Sequence, residues 1–220
     1  MIEEADFETF LFISKNKYQI FVYDKNNLKN LYNKETKMID TIELENLSNF
    51  LDENIYKIEK KINNFIKNII LIIEDEKVLN VSISLKKKNY EKYLDQKHLE
   101  NYLVEIKDVF RENYQDQIIM HMIIVSEVNK NNDCLFLEVN FISIPNSITF
   151  YFDNLLENYQ IKISRYMSSD YIKSYFGETE NELSMMANKL NNGLNKNEVQ
   201  LVSKSIENKG FFEKFFQLFS

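Results

Sequence analysis

Gln117-Ile118-Ile119-Met120-His121-Met122-Ile123-Ile124-Val125-Ser126-Glu127-Val128 and Cys134-Leu135-Phe136-Leu137-Glu138-Val139-Asn140-Phe141-Ile142-Ser143-Ile144 carry the strongest strand signals in the chain. Both are rich in β-branched and aromatic residues, and Asn129-Lys130-Asn131-Asn132-Asp133 between them is a turn cluster, so the pair reads as a long hairpin. Downstream, Pro145 with Asn146-Ser147 breaks the second strand and caps a helix over Ile148 to Tyr159, with Phe152, Leu155 and Leu156 inward. Ile161 to Tyr166 reads as a short strand and Ser169 to Phe176 as a short helix. Glu178 to Asn192 reads as a further helix closed by Gly193 at its C′ position, with a last strand over Val199 to Ser203.

Upstream, Phe7 to Ser14 and Tyr18 to Tyr23 form a second hairpin across Lys15-Asn16-Lys17, and a weaker strand follows over Leu28 to Tyr32. Leu44, Leu47, Phe50, Leu51, Ile55, Ile58, Ile62, Phe65 and Ile66 keep helical spacing, predicting one amphipathic helix from Glu43 to Lys67. Ile69 to Ile73 reads as a buried strand, and Val78 to Leu85 as its alternating neighbour, with Leu79, Val81, Ile83 and Leu85 on one face. Lys97 to Asn113 is a helix with Leu99, Tyr102, Leu103, Ile106, Val109 and Phe110 inward. Hairpins interleaved with helices make the class α+β, with mixed sheets. The divisions expected are an α+β region over 1–176, a helical and linker region over 177–208 that looks like an appendage, and an amphipathic tail over 209–220.

The totals exclude several functions. A 220-residue chain with 44% hydrophobic residues can bury a core, while a net charge of -7 argues against a nucleic-acid partner, which needs a basic face. The single cysteine, Cys134, excludes an internal disulfide and a multi-thiolate zinc site. The acidic start Met1-Ile2-Glu3-Glu4-Ala5-Asp6 is unlike a signal peptide, and no apolar run approaches the roughly 20 residues of a spanning helix, so any membrane contact is expected to be peripheral. The chain has only three glycines, Gly177, Gly193 and Gly210. Phosphate-cradling loops need glycine to bring backbone N–H groups to the anion, so nucleotide binding by the usual loops is not expected.

Catalytic and metal-binding patterns are equally scarce. His98 opens a helix at the surface, and His121 reads as a structural or edge-exposed strand residue; neither has a metal-ligand partner at helical spacing. Cys134 has no neighbouring histidine, Glu74-Asp75-Glu76 reads as a solvated strand-joining turn, and Lys86-Lys87-Lys88 as a solvated basic turn. No catalytic residue, cofactor site or metal site is assigned, and the chain is expected not to be an enzyme.

The remaining signal is Lys209-Gly210-Phe211-Phe212-Glu213-Lys214-Phe215-Phe216-Gln217-Leu218-Phe219-Ser220. At about 100° per residue, a helix here gathers Phe211, Phe212, Phe215, Phe216, Leu218 and Phe219 into an arc of roughly 160°, with Glu213, Lys214 and Gln217 opposite. Such a face can dock on the body's own core, fill a partner's groove, or lie in a membrane interface.

The order of elements resembles the FtsA family, the actin-like bacterial division proteins that attach the cytokinetic ring to the cytoplasmic membrane. Asn46 to Lys67 followed by Ile69 to Ile73 looks like the family's first helix leading into its inserted strand-helix-strand-strand module. Leu94-Asp95-Gln96-Lys97-His98-Leu99 is similar to the acidic helix start that follows. Ile118 to Ile124 and Leu137 to Ile142 are similar to a paired strand set, and the Phe-rich end resembles the family's membrane-targeting helix. The resemblance covers 9–176 and the tail. Ile13-Ser14-Lys15-Asn16-Lys17 lacks the Asp and Gly of the family's phosphate loop, and neither a second phosphate loop nor a second lobe follows Phe176.

The resemblance implies a non-catalytic scaffold without bound nucleotide, tethering a division-ring partner (FtsZ-like) or another divisome component to the cytoplasmic face of the inner membrane. Phe211, Phe212, Phe215, Phe216, Leu218 and Phe219, with Lys209 and Lys214 toward anionic lipid, would form the membrane contact. Full burial of a Phe contributes roughly 1.5–3 kcal/mol against about 1–2 kcal/mol for ordering each residue, so one tail binds weakly and self-association is expected to add avidity. The alternative is a soluble cytoplasmic adaptor similar to the actin-like pilus-assembly proteins, its tail docking on a partner or folding back.

Overall fold

The computed structural model describes residues 6–37, 44–88, 96–130, 134–177 and 182–199. Strands β1 (Phe7–Ser14), β2 (Lys17–Asp24), β3 (Lys29–Lys37), β4 (Asn68–Glu74) and β8 (Lys162–Ser168) make one sheet in the order β3-β2-β1-β4-β8. β1 pairs antiparallel with β2 and parallel with β4, which in turn pairs parallel with β8. Phe10 to Ile13 and Ile69 to Ile73 are buried on both faces, which is why they read as continuous apolar runs rather than alternating ones. β3 runs longer than its weak apolar signal, because its outer half carries exposed Lys34, Glu35 and Lys37, charges suited to a sheet edge.

Helix α1 (Leu44–Ile62) crosses from β3 to β4 and buries Leu47, Phe50, Leu51, Ile55 and Ile58 at helical spacing. It stops short of Lys67 because Asn63 adopts a left-handed φ of 52°. Phe65, expected inward, is 75% exposed beyond that break, whereas Ile66 is buried.

Between β4 and β8 the chain builds a second unit: β5 (Leu79–Lys88), α2 (Gln96–Asn113), β6 (Gln117–Lys130) and β7 (Cys134–Pro145), with sheet order β5-β7-β6, all antiparallel. This is a strand-helix-strand-strand insertion in an α+β fold. β5 alternates as expected, yet its partner is β7; the neighbours of Ile69 to Ile73 are β1 and β8. Lys86, Lys87 and Lys88 lie within β5 rather than in a turn, and Lys87 pairs with Glu105 of α2 at 2.7 Å. The insertion has its own core, in which Phe110 stacks on Phe141 at 4.6 Å among Ile106, Met122, Leu137 and Val139.

A register shift in β6 between Ile119 and His121 breaks the alternation there, so Met120, His121 and Met122 are all buried. Met120 enters the main core and Met122 the core of the insertion. One strand therefore serves both.

Helix α3 (Asn146–Glu157) begins at Pro145 and buries Thr149, Phe152, Leu155 and Leu156. Helix α4 (Ser169–Phe176) starts where the Ser168 hydroxyl accepts a hydrogen bond from the Tyr171 amide at 3.3 Å. Helix α5 (Leu183–Asn191) is shorter than expected, and it places Met186, Ala187 and Leu190 in the main core. Its C-terminal turn is closed by Gly193 N–H to Leu190 O and Leu194 N–H to Lys189 O, both at 3.0 Å, with Gly193 at φ 81°.

Candidate functional site

Parallel strands β1, β4 and β8 end side by side: Ser14 is in register with Glu74, and Ile73 with Ser168. Crevices beyond the carboxyl ends of such strands are where open α/β sheets hold ligands. Here a cleft of about 320 Å³ is floored by Ile13, Ile73, Ile148, Tyr151 and Phe152, with Glu74, Asp75, Lys77 and Ser147 at its rim. It adjoins a larger, more polar recess of about 580 Å³ whose lining adds Lys15, Asn16, Glu76 and Asp170.

The local chemistry of this rim follows from short-range contacts. The Asn16 carboxamide oxygen accepts from the Ser14 hydroxyl at 3.1 Å, folding the two-residue hairpin turn onto itself. Asp75 accepts the Lys77 amide at 2.8 Å, which makes the Glu74-Asp75-Glu76 segment an Asx-type turn. Glu74 is more than a solvated turn residue, since it accepts the Ser169 hydroxyl at 3.2 Å and pairs with Lys173. The carboxylates of Glu74, Asp75, Glu76 and Asp170 exceed the ammonium groups of Lys15, Lys77 and Lys173 by one, a setting unfavourable to a polyphosphate.

A buried polar cluster lies where the insertion meets the main sheet. The Ser168 amide donates to Nε2 of His121 at 2.9 Å, so that nitrogen carries the lone pair and Nδ1 carries the proton it gives to Glu198 Oε1 at 2.7 Å. Arg165 Nη2 donates to the same oxygen at 2.5 Å, and the Tyr171 hydroxyl to Oε2 at 3.2 Å. Asn195 Nδ2 donates to the Tyr171 oxygen at 2.8 Å. Burial pushes the His121 pKa below its ordinary value, more strongly than Glu198 raises it, and holds the ring neutral. Burial alone would raise the Glu198 carboxyl, but the contacts with His121, Arg165 and Tyr171 outweigh it and leave the group lowered and ionised.

The segment carrying Glu198 is also held by backbone. Ile124 N–H donates to Asn197 O at 2.9 Å and Val199 N–H to Met122 O at 2.8 Å, which adds a short antiparallel stretch to the edge of β6. Arg165 extends the cluster through Asn191 at 3.2 Å, whose amide donates to Glu8 at 3.0 Å. Strands β1, β6 and β8 and the stretch after α5 thus share one network.

Burial raises the hydroxyl pKa of Tyr166 and Tyr171, and that of Tyr159 to about 12, so none is an available nucleophile at neutral pH. Among the described residues no group of three or more His, Cys, Asp or Glu side chains is arranged to hold a metal ion. His121, read from sequence as structural or edge-exposed, is buried and central. Glu198, Arg165 and Tyr171 were not singled out by sequence, since nothing local links a lone glutamate to a histidine 77 positions away. The assigned membrane-contact residues Lys209, Phe211, Phe212, Lys214, Phe215, Phe216, Leu218 and Phe219 lie outside the described residues, as do the side chains of His98 and Cys134.

No family model matches the sequence, and no curated protein does. Solved structures do resemble the fold. The PilM-PilN type IV pilus biogenesis complex matches with a TM-score of 0.51 at 10% identity, over 78% of this chain and 49% of that one. The cytoplasmic domain of EpsL, an inner membrane component of the type II secretion system of Vibrio cholerae, matches with a TM-score of 0.39 at 11% identity, over 74% of this chain and 56% of that one. A protein of unknown function with an actin-like ATPase fold from Bacteroides thetaiotaomicron matches with a TM-score of 0.36 at 16% identity, covering 80% and 58%. The chain spans about half the length of these proteins. Among the described residues no helix is long and apolar enough to cross a membrane. The mixed five-stranded sheet with its inserted three-stranded unit is the fold shared with the PilM-PilN chain.

Proposed function

We infer that this protein is an actin-like adaptor without catalysis of its own, which binds a protein partner and holds it at a membrane surface through residues 209–220. The observation that carries this reading is the rim of the strand-end cleft: carboxylates outnumber ammonium groups there, and Lys15-Asn16 closes the hairpin without glycine. The fold shared with a chain of the PilM-PilN type IV pilus biogenesis complex supports a partner-binding role. The finer assignment, a tether for a division ring, rests on the Phe-rich tail and its resemblance to a membrane-targeting helix.

The test is co-sedimentation with anionic vesicles, comparing the full chain with one ending at Lys209 and with Phe212→Glu and Phe216→Glu. The full chain is expected to pellet while the folded variants stay in solution. If all four stay in solution, the membrane part of the reading is wrong. Saturable ATP binding in equilibrium dialysis would overturn the non-catalytic part.

A further inference from the structure

The path of the chain after α5 leads toward the apolar floor of the strand-end cleft. Asn197 and Val199 pair with Ile124 and Met122 in antiparallel sense, so the backbone at Val199 is heading along β6 toward its start at Gln117. Gln117 is in register with Pro145, and the Asn146 amide donates to Asp116 O at 2.7 Å. The start of β6 therefore abuts the first turn of α3, where Ser147 and Ile148 line the cleft. Met122 to Gln117 is about 17 Å along a strand at roughly 3.3 Å per residue. Residues 200–208, which separate Val199 from Lys209, can span about 30 Å when extended, so the Phe-rich segment reaches the cleft without strain.

The chemistry of the two matches. A cavity of about 320 Å³ is at the small end of ligand pockets, which run roughly 300–1,000 Å³, and its floor of three isoleucines, a tyrosine and a phenylalanine suits one or two aromatic rings. Glu74 and Asp75 on the rim, with Glu76 and Asp170 in the adjoining recess, meet a segment whose Lys204, Lys209 and Lys214 exceed its Glu207 and Glu213 by one positive charge. We propose that the cleft floored by Ile13, Ile73, Ile148, Tyr151 and Phe152 is the resting seat of the chain's own residues 209–219, which leave it when a membrane competes for the same phenylalanines. The regulatory half of this proposal rests on the membrane reading above. The docking half stands without it.

The chain contains no tryptophan, so Phe216→Trp introduces a single reporter. In the free protein its emission is expected to be blue-shifted and shielded from acrylamide, independently of protein concentration. Adding Ile148→Glu, or Tyr151→Glu at a second half-buried position of the cleft, shifts it to the red. With nine-tenths of the molecules closed at rest, either cleft substitution tightens binding to phosphatidylglycerol-phosphatidylethanolamine vesicles about tenfold. Amide exchange over Ser147 to Phe152, compared between the unsubstituted full chain and one ending at Lys209, requires no change in the core and is expected to be several-fold faster in the shorter chain.

The docking proposal is overturned if the reporter is exposed in the free protein, if its shielding survives both cleft substitutions in folded protein, or if exchange over Ser147 to Phe152 is unchanged. Shielding that grows with concentration also overturns it, since the seat would then belong to a neighbouring copy. A shielded reporter in a protein that never binds vesicles refutes the membrane reading and leaves the docking intact; an exposed reporter in a protein that does bind them has the opposite meaning.

Discussion

Nδ1 of His121 on β6 lies 2.7 Å from Oε1 of Glu198, a residue 77 positions later in the chain. Through this contact, with Arg165 of β8 on the same carboxylate oxygen and the Ser168 amide on the opposite ring nitrogen, the inserted sheet is fastened to the main sheet by the stretch that follows α5. The side chains of His121 and Glu198 are 0% and 5% exposed, so neither can exchange its partner for water without the two units parting.

Replacing Glu198 with Ala is expected to lower stability by about 1–3 kcal/mol, because it strands a buried His121 N–H and removes the Arg165 contact. Glu198→Gln retains an acceptor for His121 and is expected to cost less. Urea unfolding midpoints check the order, and equal midpoints for the wild type and both variants would refute the fastening role.

The cluster also sets a pH response. His121 is held below its ordinary pKa of 6.5 in the folded protein, so below that pH the unfolded chain binds the additional proton and stability falls with falling pH down to the folded value. Glu198, lowered from 4.5, acts in the same direction at more acidic pH. The melting temperature is expected to decline as pH drops below about 6.5, and His121→Gln is expected to flatten that upper part of the decline while leaving the acidic part.

The insertion's core depends on Phe110, fully buried between Phe141 at 4.6 Å and Tyr114 at 4.9 Å. Phe110→Ala is expected to cost about 3–5 kcal/mol. Native-state hydrogen exchange should show the loss first in β5, β6 and β7, with the main sheet less affected; uniform acceleration would mean that the two cores unfold as one.

Gly193 closes α5 at φ 81°, a left-handed conformation that an L side chain strains to adopt. Gly193→Ala is expected to destabilise by about 1–2 kcal/mol. A thermal melt checks it, and an unchanged melting temperature would show that the closing turn contributes little to holding Asn195 and Glu198 in place.

Legibility in the sequence varied with the range of the interaction. β1 over Phe7–Ser14 and α4 over Ser169–Phe176 are readable to their observed ends, because the density and period of apolar residues are local signals. The end of α1 was overrun, since Phe65 and Ile66 continue its spacing while a single left-handed Asn63 breaks the backbone. β5 is readable as an alternating strand while its neighbour, β7, is not, because alternation records which face is buried and carries no information about the strand alongside.

By itself the sequence determined the α+β class and the long β6-β7 hairpin, since each depends on the period of apolar residues and on turn chemistry nearby. Only the tertiary structure decided that the hairpin belongs to a separate inserted sheet, that the strand ends leave an apolar cleft with an acidic rim, and that His121 is a buried junction. Those features join residues far apart in the chain. Their energies come from removing paired polar and apolar groups from water together, and that pairing exists only once the sheets have met.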